Sequence, residues 1–273
     1  MKKTIFWILA IILTLTAAIY QRKTGPTHPK EIDVRFNNNT HTLTLPRSHV
    51  TTEDCKIGLD VPPSVDGKIF YKRYPTNEEW QSTEMLSQDN ELSGYLPAQP
   101  PAGKLQYYIV LQNNQQIIQI AQNEPIIIRF KGEVPNAILI PHVAFMFLAM
   151  LFSTVAGLFA LGKCTNYRLY GYITTASLII GGFILGPVMQ YYAFGEFWTG
   201  IPFGWDLTDN KTLIAFLGWL TAVLANRKRE KPKYYVFAAI LLLLIFSIPH
   251  SAMGSELNYE TGKVETGMIL FSR

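Results

Sequence analysis

Ala137-Ile138-Leu139-Ile140-Pro141-His142-Val143-Ala144-Phe145-Met146-Phe147-Leu148-Ala149 opens an uncharged run that continues to Leu161. About 20 apolar residues span the roughly 30 Å hydrocarbon core of a bilayer, and this run has that length. Four more uncharged runs cover residues 4–20, 171–192, 212–225 and 234–248, although charged residues make up 16% of the 273-residue chain. The last two are short, so their polar ends are expected to reach the headgroup region or to thin the bilayer locally. One such run alone would read as a buried helix of a soluble core. Four of them in one half of the chain argue instead for an α-helical transmembrane bundle. The expected layout is one amino-terminal helix (residues 1–22) and a four-helix transmembrane domain (residues 136–250) with spans near 137–161, 171–192, 212–226 and 234–249.

Orientation follows from the short loops. Lys163 and Arg168 lie between the second and third runs, and Arg227-Lys228-Arg229-Glu230-Lys231-Pro232-Lys233 lies between the fourth and fifth. Positively charged short loops stay in the cytoplasm. Glu196, Asp206, Asp209, Glu256, Glu260 and Glu265 fall in the loop after the third run and in the tail, which suits the outer side. The amino terminus is therefore expected inside, with residues 23–135 and the tail 251–273 extracytoplasmic, as in a bacterial inner membrane. Lys2-Lys3 before an apolar run reads as a signal segment; Thr16-Ala17-Ala18-Ile19-Tyr20 is only a weak cleavage site, so an uncleaved anchor is the favoured reading and cleavage there the alternative. The net charge of +4 thus reflects topology rather than a nucleic-acid surface. Cys55 and Cys164 fall on opposite sides of the expected membrane, so they cannot pair with each other, and no C-x-x-C motif occurs.

Residues 23–135 alternate short apolar strands with turn residues. Strands are expected over 32–36, 42–45, 56–59, 68–74, 91–96, 105–112, 115–121 and 125–129, punctuated by Pro62-Pro63, Asp66-Gly67, Pro100-Pro101 and Asn113-Asn114. Such a density of strands suggests an all-β sandwich. Ile69-Phe70-Tyr71-Lys72-Arg73-Tyr74, then Trp80, then Gly94-Tyr95-Leu96-Pro97-Ala98-Gln99-Pro100 and Lys104–Tyr108 follow a recognisable order. That order of tyrosine strand, tryptophan, proline-rich turn and second tyrosine strand resembles immunoglobulin-like or fibronectin-III-like modules of bacterial surface proteins. The resemblance covers residues 31–130 and implies a domain that binds, spaces or docks. It carries no catalytic residue.

Ile-Pro-His occurs twice, as Ile140-Pro141-His142 and Ile248-Pro249-His250, at runs that place both histidines at the outer face. His142, Met146, Ala149, Ser153 and Gly157 recur every three or four residues and share one helix face. Small and hydroxyl side chains mark the packed side of a helix in lipid. Gly181, Gly182 and Gly186-Pro187 in the third run permit close packing or make space for a flat ligand, and Pro187 should kink that helix. The connection from Phe194 to Thr212 holds Trp198 and Trp205, read first as interfacial anchors, together with Glu196, Asp206, Asp209 and Lys211. Thr208-Asp209-Asn210 reads as the cap of the fourth helix.

Two functional readings follow. The first is a non-catalytic membrane subunit whose outer domain docks a protein partner, anchored by its lipid-embedded helices. The second is a redox protein, in which His142 and His250 ligate a b-type haem, or His142, Met146, His250 and Met253 bind copper. In either case Glu196, Trp198, Asp206, Asp209, Lys211 and Glu256 form the expected outer-face polar cluster. No nucleotide loop, nucleophile elbow or H-E-x-x-H motif is present.

Overall fold

The computed structural model describes residues 1–36, 39–88, 91–113, 116–249 and 254–266. It divides into a helical unit (residues 1–26, 134–255 and 266–273) and a β unit (residues 27–133 and 256–265).

Five helices form where the five uncharged runs lie: α1 (Lys2–Thr24), α2 (Asn136–Leu161), α3 (Tyr167–Phe194), α4 (Leu207–Ala225) and α5 (Pro232–Ser247). The first three are long and apolar enough to cross a membrane; α5 is apolar but has 16 residues. The packed face of α2 is the one its small residues mark. Ala149 and Ser153 are fully buried, and Trp219 Nε1 of α4 donates to Ser153 Oγ at 3.1 Å. A Cβ at Gly157 would stand 2.5 Å from the Cβ of Ala239, so glycine lets α5 lie directly against α2. Leu178–Leu185 of α3 widens into π-helical turns immediately before Gly186-Pro187. Proline offers no N–H, and the Gly186 N–H reaches back five residues to Gly181 O.

Hydrogen bonds join neighbouring segments at each end of this unit. Lys2 Nζ donates to Gly162 O at 2.7 Å and Lys3 Nζ to Thr165 Oγ1 at 2.9 Å, joining the start of α1 to the α2–α3 turn. Tyr167 Oη donates to Asn226 Oδ1 at 3.4 Å, which brings the α4–α5 loop to the same end. At the other end Gln21 Nε2 donates to Ile248 O at 3.3 Å.

The β unit comprises β1 (Lys30–Phe36), β2 (Asn39–Leu45), β3 (Ser48–Val50), β4 (Cys55–Leu59), β5 (Asp66–Arg73), β6 (Gln81–Gln88), β7 (Glu91–Leu96), β8 (Lys104–Gln112), β9 (Ile117–Ile120) and β10 (Ile126–Lys131). All eight expected strands form, with shifted ends. β3 and β6 were not foreseeable from apolar alternation: in the sequence of β6 only Met85 is buried. Strands pair in the order β3-β10-β8-β5-β6-β7-β4, β9 adding to β8 and β1–β2 forming a separate hairpin. β6 bridges two halves of this path, its Gln81–Met85 segment pairing β5 and Leu86–Gln88 pairing β7. One core results, filled by alternating residues such as Leu105, Tyr107, Ile109 and Leu111 of β8 with Phe36, Leu43, Ile57 and Phe130. A late hairpin, β11 (Ser255–Leu257) with β12 (Val264–Thr266), returns the tail to the turn before β8. Leu257 N–H donates to Ala102 O, and Tyr259 Oη donates to Lys104 O at 2.9 Å.

Cys55 is 2% exposed in this core, and burial, with Glu53 adding to it, pushes its thiol from 9.0 up to about 11. The folded value lies above the unfolded one, so the Cys55 contribution to stability is complete below pH 9 and lost between pH 9 and about 11. In mild detergent near neutral pH, a maleimide dye is expected to label half-buried Cys164 and to reach Cys55 only in denaturant. Equal labelling rates for the two thiols would contradict this burial.

Candidate functional site

The connection between α3 and α4 is where polar side chains gather in the helical unit. Gly195, with φ 85°, ends α3. Trp198 then stacks on Phe183 with ring centroids 5.6 Å apart and donates through Nε1 to Ile201 O. Gly200 allows the turn to close on α4, because a Cβ there would come within 2.6 Å of Asp209 Cβ.

Asp206 begins α4 and is 4% exposed. It is the helix cap in place of the expected Thr208-Asp209-Asn210, since the first helical residue is Leu207. Its Oδ1 accepts from the backbone N–H of Thr208 at 2.8 Å and of Asp209 at 3.4 Å. Its Oδ2 accepts from both the N–H and the hydroxyl of Ser255, each at 3.0 Å. A negative charge at a helix amino terminus is also favoured by the helix dipole. Asp209 faces the loop: its Oδ2 accepts from Thr199 N–H at 2.7 Å and Thr199 Oγ1 at 3.3 Å, and Gln190 Nε2 of α3 donates to Thr199 Oγ1 at 2.7 Å. Asn210 Oδ1 accepts from Ile201 N–H at 2.8 Å.

Lys211 is 3% exposed, and its Nζ donates to Ile248 O at 2.6 Å. That acceptor exists because of the second Ile-Pro-His. A residue before proline is driven out of the α region, so Ile248 adopts φ −69°, ψ 126° and ends α5. The first Ile-Pro-His behaves differently, since Pro141 and His142 both lie inside α2. His142 Nδ1 lies 2.9 Å from Gly181 O. A carbonyl only accepts, so Nδ1 carries the proton. Met146 Sδ packs over Gly181, and a Cβ at Gly182 would lie 2.5 Å from Thr212 Cγ2. Neighbouring helices therefore fill the space at these glycines.

The expected cluster is thus partly assembled. Asp206, Asp209, Lys211 and Trp198 come together through α4 and its preceding loop. Glu196 is exposed on that loop. Glu256 belongs to the β unit, where its carboxylate pairs with Lys104 Nζ. His250 and Met253 lie outside the described residues. Thr199, Gln190 and Ser255 complete the network and had no sequence signal beyond being polar residues near apolar runs. Among the described residues no three His, Cys, Asp or Glu side chains gather as a metal site.

Chemically the arrangement is a clamp: each carboxylate receives backbone and hydroxyl donors, and the loop, α3, α4 and the chain after α5 meet there. Asp206→Ala removes a helix cap and the carboxylate that accepts from both the Ser255 N–H and its hydroxyl, so it is expected to cost about 2–4 kcal/mol. Ser255→Ala keeps the backbone bond and is expected to cost about 1 kcal/mol. Thermal unfolding in detergent measures both, and equal losses would contradict a two-donor grip on Oδ2. No protein-family model matches this chain, and no curated protein sequence matches it significantly.

Proposed function

We propose that the chain is a non-catalytic integral membrane subunit that carries its β unit on the extracytoplasmic side and docks a protein partner with it. Membrane insertion is supported by the three long apolar helices. It is further supported by α4 and α5, whose 19 and 16 residues rise about 28 and 24 Å. The cationic turns at one end of the helical unit support a cytoplasmic amino terminus, with the anchor uncleaved. Strands sharing one core, with β6 serving two halves of the pairing path, support an immunoglobulin-like sandwich.

The observation that carries docking is an aromatic strip on the face of β5 and β8 turned away from the core. Phe70 and Tyr108, paired directly across the strands, stack with centroids 4.8 Å apart and planes 3° apart. Trp80 meets Tyr108 edge-on at 4.8 Å, and Lys72 Nζ lies 5.2 Å above the Trp80 ring. A cross-strand aromatic pair contributes only about 0.2–1 kcal/mol to a sheet, whereas half-exposed aromatics beside cations are the side chains that anchor protein interfaces.

A second reading, a haem or copper protein, is favoured by His142 alone. A ligating histidine usually donates its other N–H to a carbonyl or carboxylate, and here Nδ1 does so, leaving Nε2 for a metal.

In native membranes the full chain is expected to migrate as a larger assembly, and Trp80→Ala with Tyr108→Ala is expected to release it as the 30.9 kDa protein. Unchanged migration of a folded double variant would count against docking through the strip. A visible absorption band with bound metal, lost in His142→Ala, would put the second reading first. Extraction of the protein by alkaline carbonate would remove the membrane reading itself.

A further inference from the structure

A groove of about 340 Å³ runs between α4 and α5, walled by Ile214, Leu217 and Gly218 on one helix and Phe237 and Leu241 on the other. Gly218 leaves its floor open: a Cβ there would stand 2.8 Å from Leu241 Cδ2. Thr221 and Tyr234 line the end nearest the α4–α5 loop. From Ile214 to Thr221 the helix rises about 10 Å, so the apolar wall deepens away from that loop.

Charge is concentrated at the polar end. Residues 227–233 hold five cations, Arg227, Lys228, Arg229, Lys231 and Lys233, against one acid, Glu230. All five cations are exposed. The Glu230 carboxylate is directed 3.9 Å from Arg168 on α3, away from its own loop. Lys231 and Lys233 place their ammonium groups 5.9 and 5.8 Å from the Tyr234 ring, so both stand at the mouth of the groove. The amino terminus of α5, with Pro232 at its first position, adds its partial positive charge there.

We infer that the α4–α5 groove binds an anionic phospholipid, one acyl chain lying along the apolar wall and the phosphate held by Lys231, Lys233 and the arginines of the loop. This rests on the membrane reading above. A general excess of cations on the cytoplasmic side orients helices wherever it falls. Here it stands at the open end of an apolar groove, the combination that a negatively charged amphiphile complements. Tyr234 supplies a hydroxyl at the depth where chain and headgroup meet.

The test uses the full chain in mild detergent, offered equal amounts of phosphatidylglycerol and phosphatidylcholine with identical acyl chains and read by native mass spectrometry. Preferential retention of phosphatidylglycerol is expected, and Lys231→Gln with Lys233→Gln should lower it by roughly five-fold or more. Both lysines are exposed, so this variant keeps the fold. Gly218→Leu should lower retention by filling the groove, and soluble glycerol phosphate should fail to compete. Equal retention of the two lipids, indifference to the lysine variant, or displacement by glycerol phosphate would each overturn the inference. So would a dimer that Gly218→Leu dissociates, because the groove would then belong to a second copy. Release by alkaline carbonate is a separate result and would identify failure of the membrane reading.

Discussion

The side chain of Asp206 holds the helical unit closed at one end. One oxygen starts α4, and the other grips the chain 49 residues later at Ser255. In a unit whose helices are walled by Leu, Ile, Phe and Ala, a buried polar group without an internal partner is costly, the more so in the membrane setting proposed above. Asp206 is such a partner for three backbone N–H groups and a hydroxyl at once. Asp209, Asn210 and Lys211 extend the same logic: each follows Asp206 in the first turn of α4, Asp209 and Asn210 taking donors from the loop at Thr199 and Ile201 and Lys211 finding its acceptor at Ile248. The first turn of one helix thereby fixes a loop, the neighbouring helix and the end of the last helix.

Apolar packing alone would not specify that arrangement. On the proposed membrane reading, Leu against Leu is no better than Leu against lipid, and helices find one another through small residues and a few polar bonds. Ser153 with Trp219, and Gly157 beneath Ala239, are such contacts. They lie on the face that also carries His142 and Met146, which explains why that stripe reads as polar or small. His142 continues it to the end of the helix, where the π-helical turns of α3 bring Gly181 O within reach of the ring.

Legibility in the sequence followed the strength of each physical signal. Helices were readable because an uncharged run of such length has few other fates, and β8 with β9 was readable from two short apolar runs, Leu105–Val110 and Ile117–Ile120, on either side of Asn113-Asn114 in the sequence. β6 was hidden because it faces solvent along most of its length: Met85 is its only buried residue, and its neighbour Leu86 is exposed. The polar residues of the site were half legible. Asp206, Asp209 and Lys211 stood out by type, but Thr208-Asp209-Asn210, read as the cap, lies two to four residues past the true cap at Asp206. Ser255 was invisible, since a contact across 49 residues leaves no periodicity. Glu256, its neighbour, stood out by charge yet serves Lys104 of the β unit.

The hairpin at residues 255–266 also sets an order of events during synthesis. Ser255, Glu256 and Tyr259 are made after the five helices and ten earlier strands among the described residues. Until they emerge, Asp206 lacks two of its donors, and Lys104 lacks its carboxylate partner at a site where both side chains are largely buried. Neither unit is complete as a nascent chain. A chain cut before residue 255 lacks Ser255 for Asp206 and Glu256 for Lys104, so one short segment supplies a buried partner to each unit.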